Sequence, residues 1–188
     1  MENLLDKKVN GFVIEDITST IKAIQESPSI AKFEFRVRNK WISAGHNQAT
    51  VKDFYGGGQE DESREKAWVF DNGEPPILLG KNEGANPVEY LLSALSGCMT
   101  TTIALHAAAN GIHIDSIESK FEGHLDVQGF LGLNEQIRNG YQDIRVNFKI
   151  KGDLSEEQEK QLLDFAYKSP VFDVVTNKVP VEVNVSLN

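Results

Sequence analysis

The chain has 188 residues, of which 40% are hydrophobic and 25% are charged, a composition typical of one soluble globular domain. Its formal net charge of −9 repels phosphate groups, which argues against nucleic acids and anionic membrane surfaces as partners. The single cysteine excludes an internal disulfide and a cysteine-based metal site, and it fits a reducing cytoplasm.

The first part of the chain predicts one helix followed by strands. Isoleucines recur at helical spacing, which predicts an amphipathic helix from Gly11 to about Ser27. Residues 33–41, FEFRVRNKW, alternate between apolar and charged side chains as a half-buried strand does, and residues 49–54 predict a weaker strand. The glycine-rich residues 56–65 lack the Lys-Ser/Thr of a phosphate-binding loop, so we interpret them as a mobile connection. Residues 68–70 predict another short strand.

A long, mostly apolar stretch from Asn86 to Gly111 predicts a central helix. Asn86 suits the N-cap, Pro87 the first helical position and Glu89 the third, where the carboxylate of a capping box belongs, and Gly111 is a stop signal. The residues between these caps would span about 36 Å of helix. Because few of them carry charge, we expect a buried core helix rather than a membrane span, with a partner subunit covering part of it.

The second half of the chain predicts strands and two shorter helices. Strands are expected at residues 120–127 and 141–151, where apolar and polar side chains alternate. Ser155 and Gln158 form a capping-box pattern that opens one helix, and Ser169-Pro170 opens a short second one. The last stretch, PVEVNVSL, alternates again and predicts a closing strand at residues 180–187.

Together these elements predict an α+β fold, with runs of antiparallel strands around one buried helix. We expect a single domain over residues 1–188, in which residues 1–30 form an N-terminal helical extension. The four histidines show no spacing typical of metal ligands, so neither a metal site nor a cofactor is expected. His106, on the long helix, is expected to be a core or interface histidine.

Cys98, the only cysteine, lies in the middle of the predicted long helix. A lone cysteine on an apolar helix is usually a packing residue. A reactive thiolate needs a nearby cation, a hydrogen-bond donor or a helix N-terminus, and Cys98 lies twelve residues after Asn86. His106 is about 12 Å further along the axis, too far to act as its base. Helix geometry alone therefore favours packing and leaves a nucleophile as the alternative.

Three stretches together resemble the OsmC/Ohr family of thiol-dependent hydroperoxide reductases. The first, GANPVEYLLSALSGC, resembles the family phrase G-x-N-P-E-[EQ]-L followed by a cysteine at the same spacing. The second, GIHIDSIESKFEGHLD, leaves the long helix through a glycine into a strand, and the third, KSPVFDVV, resembles the family segment G-C-P-V. The resemblance covers roughly residues 80–187.

This resemblance implies a fold and a site. The fold is OsmC-like, with curved antiparallel sheets around long buried central helices in an intertwined homodimer. The resemblance further implies that Cys98 is the nucleophile that attacks the peroxide, in a pocket at the subunit interface. A small hydrophobic hydroperoxide would be the substrate, and Leu91, Leu95 and Met99 are expected to form apolar walls around it.

The chain departs from the family pattern at the residues that assist the cysteine. Ser169 stands at the position of the second, resolving cysteine, so an external thiol would have to act as reductant. Ser169 also suits a helix N-cap. Val88 stands at the position of the carboxylate, and the adjacent Glu89 is better explained as a capping residue. The region of the family's activating arginine, WISAGHNQATV, offers only His46, and the sequence does not rank the remaining candidates, Arg36, Arg38, Arg64 and Arg138.

Two hypotheses about function follow from this pattern. The first is a cytoplasmic, homodimeric OsmC-like protein that reduces organic hydroperoxides with one cysteine, Cys98, in an oxidative stress response. The alternative is a non-catalytic or redox-sensing relative that binds a small hydrophobic molecule in the same pocket. The missing second cysteine, carboxylate and arginine favour the alternative, whereas the cysteine itself favours the first.

Overall fold

A computed structural model describes residues 8–187, which form two compact units. One unit comprises residues 8 and 13–91, and the other comprises residues 9–12 and 92–187. The mixture of helices and antiparallel sheets confirms the predicted α+β class. The helices are α1 (Ile14–Glu26), α2 (Pro87–Ala109), α3 (Val127–Phe130), α4 (Glu156–Ala166) and α5 (Pro170–Thr176). The strands are β1 (Lys8–Val9), β2 (Phe12–Val13), β3 (Glu34–Phe35), β4 (Arg38–Ser43), β5 (His46–Val51), β6 (Phe54–Gly56), β7 (Gln59–Asp61), β8 (Trp68–Asn72), β9 (Ser116–Leu125) and β10 (Tyr141–Lys151).

The first unit contains α1 and two three-stranded antiparallel sheets, β3-β6-β7 and β4-β5-β8. The strand predicted over residues 33–41 is divided, because β3 pairs in one sheet and β4 in the other. The predicted mobile connection is wrong, since β6 and β7 form a hairpin there. Its turn is made by Gly57 and Gly58, whose positive φ angles of 62° and 88° suit glycine.

The apolar side chains of the first unit remain uncovered. Between residues 13 and 91 no apolar side chain is buried, and α1 contributes no buried residue. Phe33, Phe35 and Val37, which the alternating pattern predicted to face an interior, are 54%, 71% and 64% exposed. The sheets of this unit therefore have apolar surface that the single chain does not cover.

The second unit contains the hydrophobic core. Strands β9 and β10 pair as a long antiparallel ribbon, from Lys151 opposite Ser116 to Tyr141 opposite Leu125. One face of the ribbon packs against α2 and α4. The core residues are Leu95, Met99, Ile103 and Ala107 of α2, Ile112, and Leu162, Phe165 and Ala166 of α4. The core is thus assembled around one stripe of α2.

The caps of α2 confirm the predicted boundaries. The Asn86 side-chain oxygen accepts a hydrogen bond from the Val88 N–H at 2.9 Å, and the Glu89 carboxylate accepts one from the Asn86 N–H at 2.9 Å. The helix ends before Gly111, whose φ is 70°. By length and composition α2 is also apolar enough to cross a membrane, a test that core helices of soluble proteins pass as well. Five of its residues are buried in the core of the second unit, and 28% of its apolar window is buried within the single chain.

The predicted closing strand is absent from the single chain. Residues 177–187 carry neither helix nor strand. Val181, Val183 and Val185 are 78%, 79% and 80% exposed, while the side chains of Glu182 and Asn184 hydrogen-bond to each other at 3.2 Å. The pattern therefore separates an apolar face from a polar one. A strand, however, requires a neighbouring strand to form hydrogen bonds with its backbone, and these residues pair with none of the described strands.

Hydrogen bonds of the Asn10 side chain connect the N-terminal β1–β2 hairpin to the end of α2. Its side-chain amide donates to the carbonyl oxygen of Ile112 at 3.0 Å and to that of Ala104 at 3.4 Å, and its side-chain oxygen accepts from the Ile114 N–H at 2.9 Å. Its φ of 51° is a left-handed conformation that asparagine tolerates better than most residues. Asn10 therefore supports the segment through which the chain leaves α2.

We expect Asn10→Ala to lower the free energy of unfolding by about 2–4 kcal/mol, because it removes these hydrogen bonds and places a Cβ residue without a polar group at positive φ. Asn10→Gly removes the hydrogen bonds alone and should cost less, and Asn10→Asp, which retains the acceptor for Ile114, should also cost less. Urea denaturation of the three variants measures these differences. An alanine variant within about 0.5 kcal/mol of the wild type would contradict the assignment.

Candidate functional site

A cavity of about 530 Å³ opens beside Cys98 within the second unit. Its walls come from α2 and from the turn that joins α4 to α5. The lining residues are Gly97, Cys98, Thr101, Thr102, Leu105, His106, Lys168 and Pro170. The Cys98 side chain is half-buried. A smaller cavity of about 250 Å³ between α2, β10 and α4 is apolar apart from Glu159 and contains none of the predicted site residues.

Helix α2 presents different stripes to the core and to this cavity. Residues 95, 99, 103 and 107 follow one another at four-residue steps and pack in the core. Residues 98, 101, 102 and 105 lie on the adjacent face and line the cavity. Leu95 and Met99, expected as walls of the pocket, are 2% and 3% exposed in the core, so that expectation is wrong. Leu105 and Pro170 supply apolar wall instead.

His106 and Lys168 are the two basic side chains that line the cavity. The His106 ring stacks on Phe165 with a centroid distance of 5.3 Å, and the Lys168 Nζ lies 5.4 Å from the centre of the same ring. Burial lowers the pKa of His106 from its ordinary value, and the positive charge of Lys168 lowers it further. His106 is therefore neutral near pH 7, and Lys168 is the cation among the lining residues.

Lys168 was not predicted from the sequence as a residue of the site. Lysine is one of the commonest surface residues, and its side chain is exposed in the single chain. The one signal was its place directly before Ser169, at the position of the family's second cysteine. His106 was expected to be a core or interface histidine, and its position on the same cavity as Cys98 was not expected.

Ser169 is a helix cap. It is completely buried, and its Oγ accepts a hydrogen bond from the Phe172 N–H at 3.2 Å at the start of α5. This confirms the predicted N-cap. Its neighbours Lys168 and Pro170 line the Cys98 cavity. The segment that corresponds to the second cysteine thus borders the site, but it brings a capping hydroxyl there and no thiol.

The other predicted assisting residues lie in the first unit. Val88 and Glu89 occupy the first turn of α2, where Glu89 completes the capping box. The Nε2 atom of His46 lies 2.9 Å from an Asp71 oxygen, and this contact, with a second from Gln48, lowers the pKa of Asp71. Within residues 8–187 no three His, Cys, Asp or Glu side chains form a metal-binding cluster.

None of the four arginines considered from the sequence lines the cavity, whose lining residues are all described. Arg36, Arg38 and Arg64 contact other side chains of the first unit. Arg36 pairs with Glu34 and Glu60 at 2.7 Å, Arg38 with Asp53 at 3.4 Å, and the Arg64 guanidinium lies over the rings of Phe54 and Trp68. The carbonyl oxygen of Arg138 accepts a hydrogen bond from Gln142.

Comparisons with known proteins identify the family and the fold. The family model described as OsmC-like protein matches residues 80–184. An OsmC-like protein from Mycoplasma pneumoniae has 19% identity and a TM-score of 0.59, with 77% of this chain and 89% of that chain covered. An organic hydroperoxide resistance protein OsmC from Legionella pneumophila has 16% identity and a TM-score of 0.53, with 81% and 96% covered. At these identities the solved structures show the fold alone. No curated protein matches the chain.

The environment of His106 predicts a pH-dependent contribution to stability. Because its folded pKa is lowered, the unfolded chain binds more protons below its ordinary pKa of about 6.5. Stability is therefore greatest above that pH and is lost as the pH falls. We expect His106→Gln to reduce the loss of unfolding free energy between pH 7.5 and pH 5, measured by urea denaturation.

In Lys168→Gln, NMR titration of His106 should give a higher pKa than in the wild type. An unchanged His106 titration would show that the Lys168 charge does not act there.

Proposed function

The chain belongs to the OsmC-like protein family, and on this premise we propose that it reduces organic hydroperoxides with a single cysteine, Cys98, in an oxidative stress response. The observation that carries the proposal is the only thiol of the chain, half-exposed on a partly apolar cavity at the position of the family's cysteine. The Legionella pneumophila relative is named an organic hydroperoxide resistance protein, which supports the substrate class.

The reaction is a nucleophilic displacement at oxygen. The Cys98 thiolate attacks one peroxide oxygen, the O–O bond breaks, and the organic alkoxide leaves and takes up a proton to become the alcohol. Cys98 becomes a sulfenic acid. Leu105 and Pro170, with the methyl groups of Thr101 and Thr102, provide contacts for the organic part of the substrate.

An external thiol completes the cycle. It attacks the Cys98 sulfenic sulfur and releases water, which gives a mixed disulfide, and a second thiol then releases the Cys98 thiol and leaves as the oxidised disulfide. This route is proposed because Ser169 has no thiol and its hydroxyl caps α5. The cavity is open to solvent, so an external reductant can reach the sulfur. The requirement for thiol reductants favours the cytoplasm as the location.

We also propose that the protein is a homodimer in which a second copy covers the exposed apolar surface. Phe33, Phe35, Trp41 and Trp68 are all more than half exposed. Covering these four aromatic side chains would bury roughly 500 Å². A standard interface buries about 800 Å² on each partner, so these four side chains would supply a large part of one. The exposed valines of residues 177–187 form a second apolar surface that a partner chain would cover.

Stoichiometric cumene hydroperoxide is the test of the reaction. We expect a sulfenic-acid probe to label the wild type rapidly and to leave Cys98→Ser unlabelled, because Cys98 is the only thiol. Stopped-flow rates and intact mass measure the step, and addition of a small thiol should restore the original mass. Labelling no faster than that of free cysteine at the same pH would refute the peroxidase and favour a relative that binds a ligand without reducing it.

Size measurement by light scattering tests the homodimer. We expect the wild type to have twice the mass of the chain at micromolar concentration. Val183→Lys places a charge on the apolar face of residues 177–187 and should shift the equilibrium towards monomer by at least tenfold in Kd. Asn184→Lys adds the same charge on the polar face and is the matched control. A stable wild-type monomer would contradict the proposal.

A further inference from the structure

Gly97 directly precedes Cys98 in the middle of α2, and both residues line the same cavity. We propose that Gly97 determines how bulky a molecule can reach the Cys98 sulfur, and that the space left by its missing side chain accepts a branched or aromatic group next to the peroxide of the substrate. This inference deepens the proposed function and rests on it for the nature of the substrate. It assigns Gly97 as a specificity-determining residue.

The conformation and packing of α2 do not require a glycine at position 97. A glycine within a helix is destabilising relative to alanine, because it loses more conformational freedom on folding. A positive φ angle or a close contact is the usual reason for a glycine. The φ angle of Gly97 is not positive, and a Cβ built on it would meet no atom within 4 Å, its chain neighbours and the backbone of α2 aside. The space beside Gly97 is therefore open to the cavity.

The side chains on this wall of the cavity become smaller towards the level of Cys98. Positions 97, 101 and 105 are four residues apart, so they follow one another along a single row of α2, and all three line the cavity. Leu105 presents an isobutyl group, Thr101 a smaller methyl and hydroxyl, and Gly97 only its Cα. The row therefore leaves the most room at the end that lies beside the sulfur-bearing residue.

A side chain at position 97 would stand close to the sulfur. The Cα atoms of Gly97 and Cys98 lie about 3.8 Å apart, and side chains at these two positions project about 100° apart around the helix. Neither position belongs to the core stripe of α2, so bulk added at Gly97 displaces no core residue. The cavity volume of about 530 Å³ is in the range of small-molecule sites, so it has room for a branched or aromatic group.

The test compares two thiol reagents of different size on the full-length protein, iodoacetamide and the bulkier N-phenylmaleimide, with intact mass as the readout. We expect Gly97→Leu to slow the reaction of Cys98 with N-phenylmaleimide by about tenfold and to leave that with iodoacetamide nearly unchanged, because the added side chain obstructs the larger reagent. Gly97→Ala should show a smaller effect in the same direction. Ser93→Leu adds the same bulk at an exposed position of α2 outside the cavity lining and should change neither rate.

Stability and substrate choice provide two further readouts. Gly97→Ala should unfold at a higher urea concentration than the wild type, because alanine favours the helix and its Cβ would lie in open space. A residue with a structural role alone would not combine a gain in stability with a slower reaction of the larger reagent only. With hydroperoxides, Gly97→Leu should slow the reduction of cumene hydroperoxide and not that of hydrogen peroxide.

The outcomes separate this role from the proposed reaction. Wild-type rates with both reagents in Gly97→Leu, or equal slowing of both, would overturn the role of Gly97, whatever the protein does with hydroperoxides. Slowing of the larger reagent alone, in a protein that does not react with cumene hydroperoxide, would support the role and refute the peroxidase.

Light scattering distinguishes access to the sulfur from contact between two copies. A dimeric wild type whose Gly97→Leu variant is a monomer would overturn the role, because the glycine would then serve the contact between subunits. If Gly97→Leu does not fold, as judged by circular dichroism, Gly97→Ala is compared with the wild type on the same two reagents.

Discussion

The packing of α2 is the constraint on which the rest of the second unit depends. One stripe of this helix, Leu95, Met99, Ile103 and Ala107, lies against the β9–β10 ribbon and α4. Burial of each large apolar side chain contributes about 1.5–3 kcal/mol, so rotation of the helix about its axis would be costly. Because side chains three and four positions apart share a face, fixing this stripe also fixes the direction of Cys98. The site is therefore oriented by the core, while the cysteine itself remains outside it.

The structural features that depend on local interactions were predictable from the sequence. The caps of α2, the capping box of α4 and the bounds of β10 follow from hydrogen bonds or alternation within a few residues, and the structure has them as predicted. The strand predictions were wrong at residues 33–41 and 180–187, where the pattern is that of a strand with one apolar face. Whether such a strand forms, and in which sheet, depends on a neighbour that the local sequence does not contain. The apolar faces of both segments are exposed, and the proposed second copy of the chain would supply such a neighbour.

The candidate site was predictable to a similar extent. The Ser-Pro signal identified Ser169 as a cap, which the structure confirms. The spacing between Asn86 and Cys98 predicted the cysteine as nucleophile through the family resemblance, and that role stays a prediction. Lys168 was not predictable, because nothing in the local sequence distinguishes a lysine that faces a cavity from one that faces solvent. Only the turn between α4 and α5 brings residue 168 to the same cavity as the lining residues of α2. The same turn explains why His106 and Cys98 line one cavity with a residue more than sixty positions later in the chain.

Ser169 connects the architecture of the site to the proposed redox cycle. The start of α5 leaves backbone N–H groups that need an acceptor, and a serine hydroxyl meets this need far better than a thiol, which is a weak acceptor. A chain with serine here has a capped helix and no internal route to reduce an oxidised Cys98. In the proposed cycle, reduction then begins with a thiolate that enters from solvent, and that thiolate is negatively charged. The eight residues that line the cavity, all of them described, include one lysine and no carboxylate, so they favour the approach of such an anion.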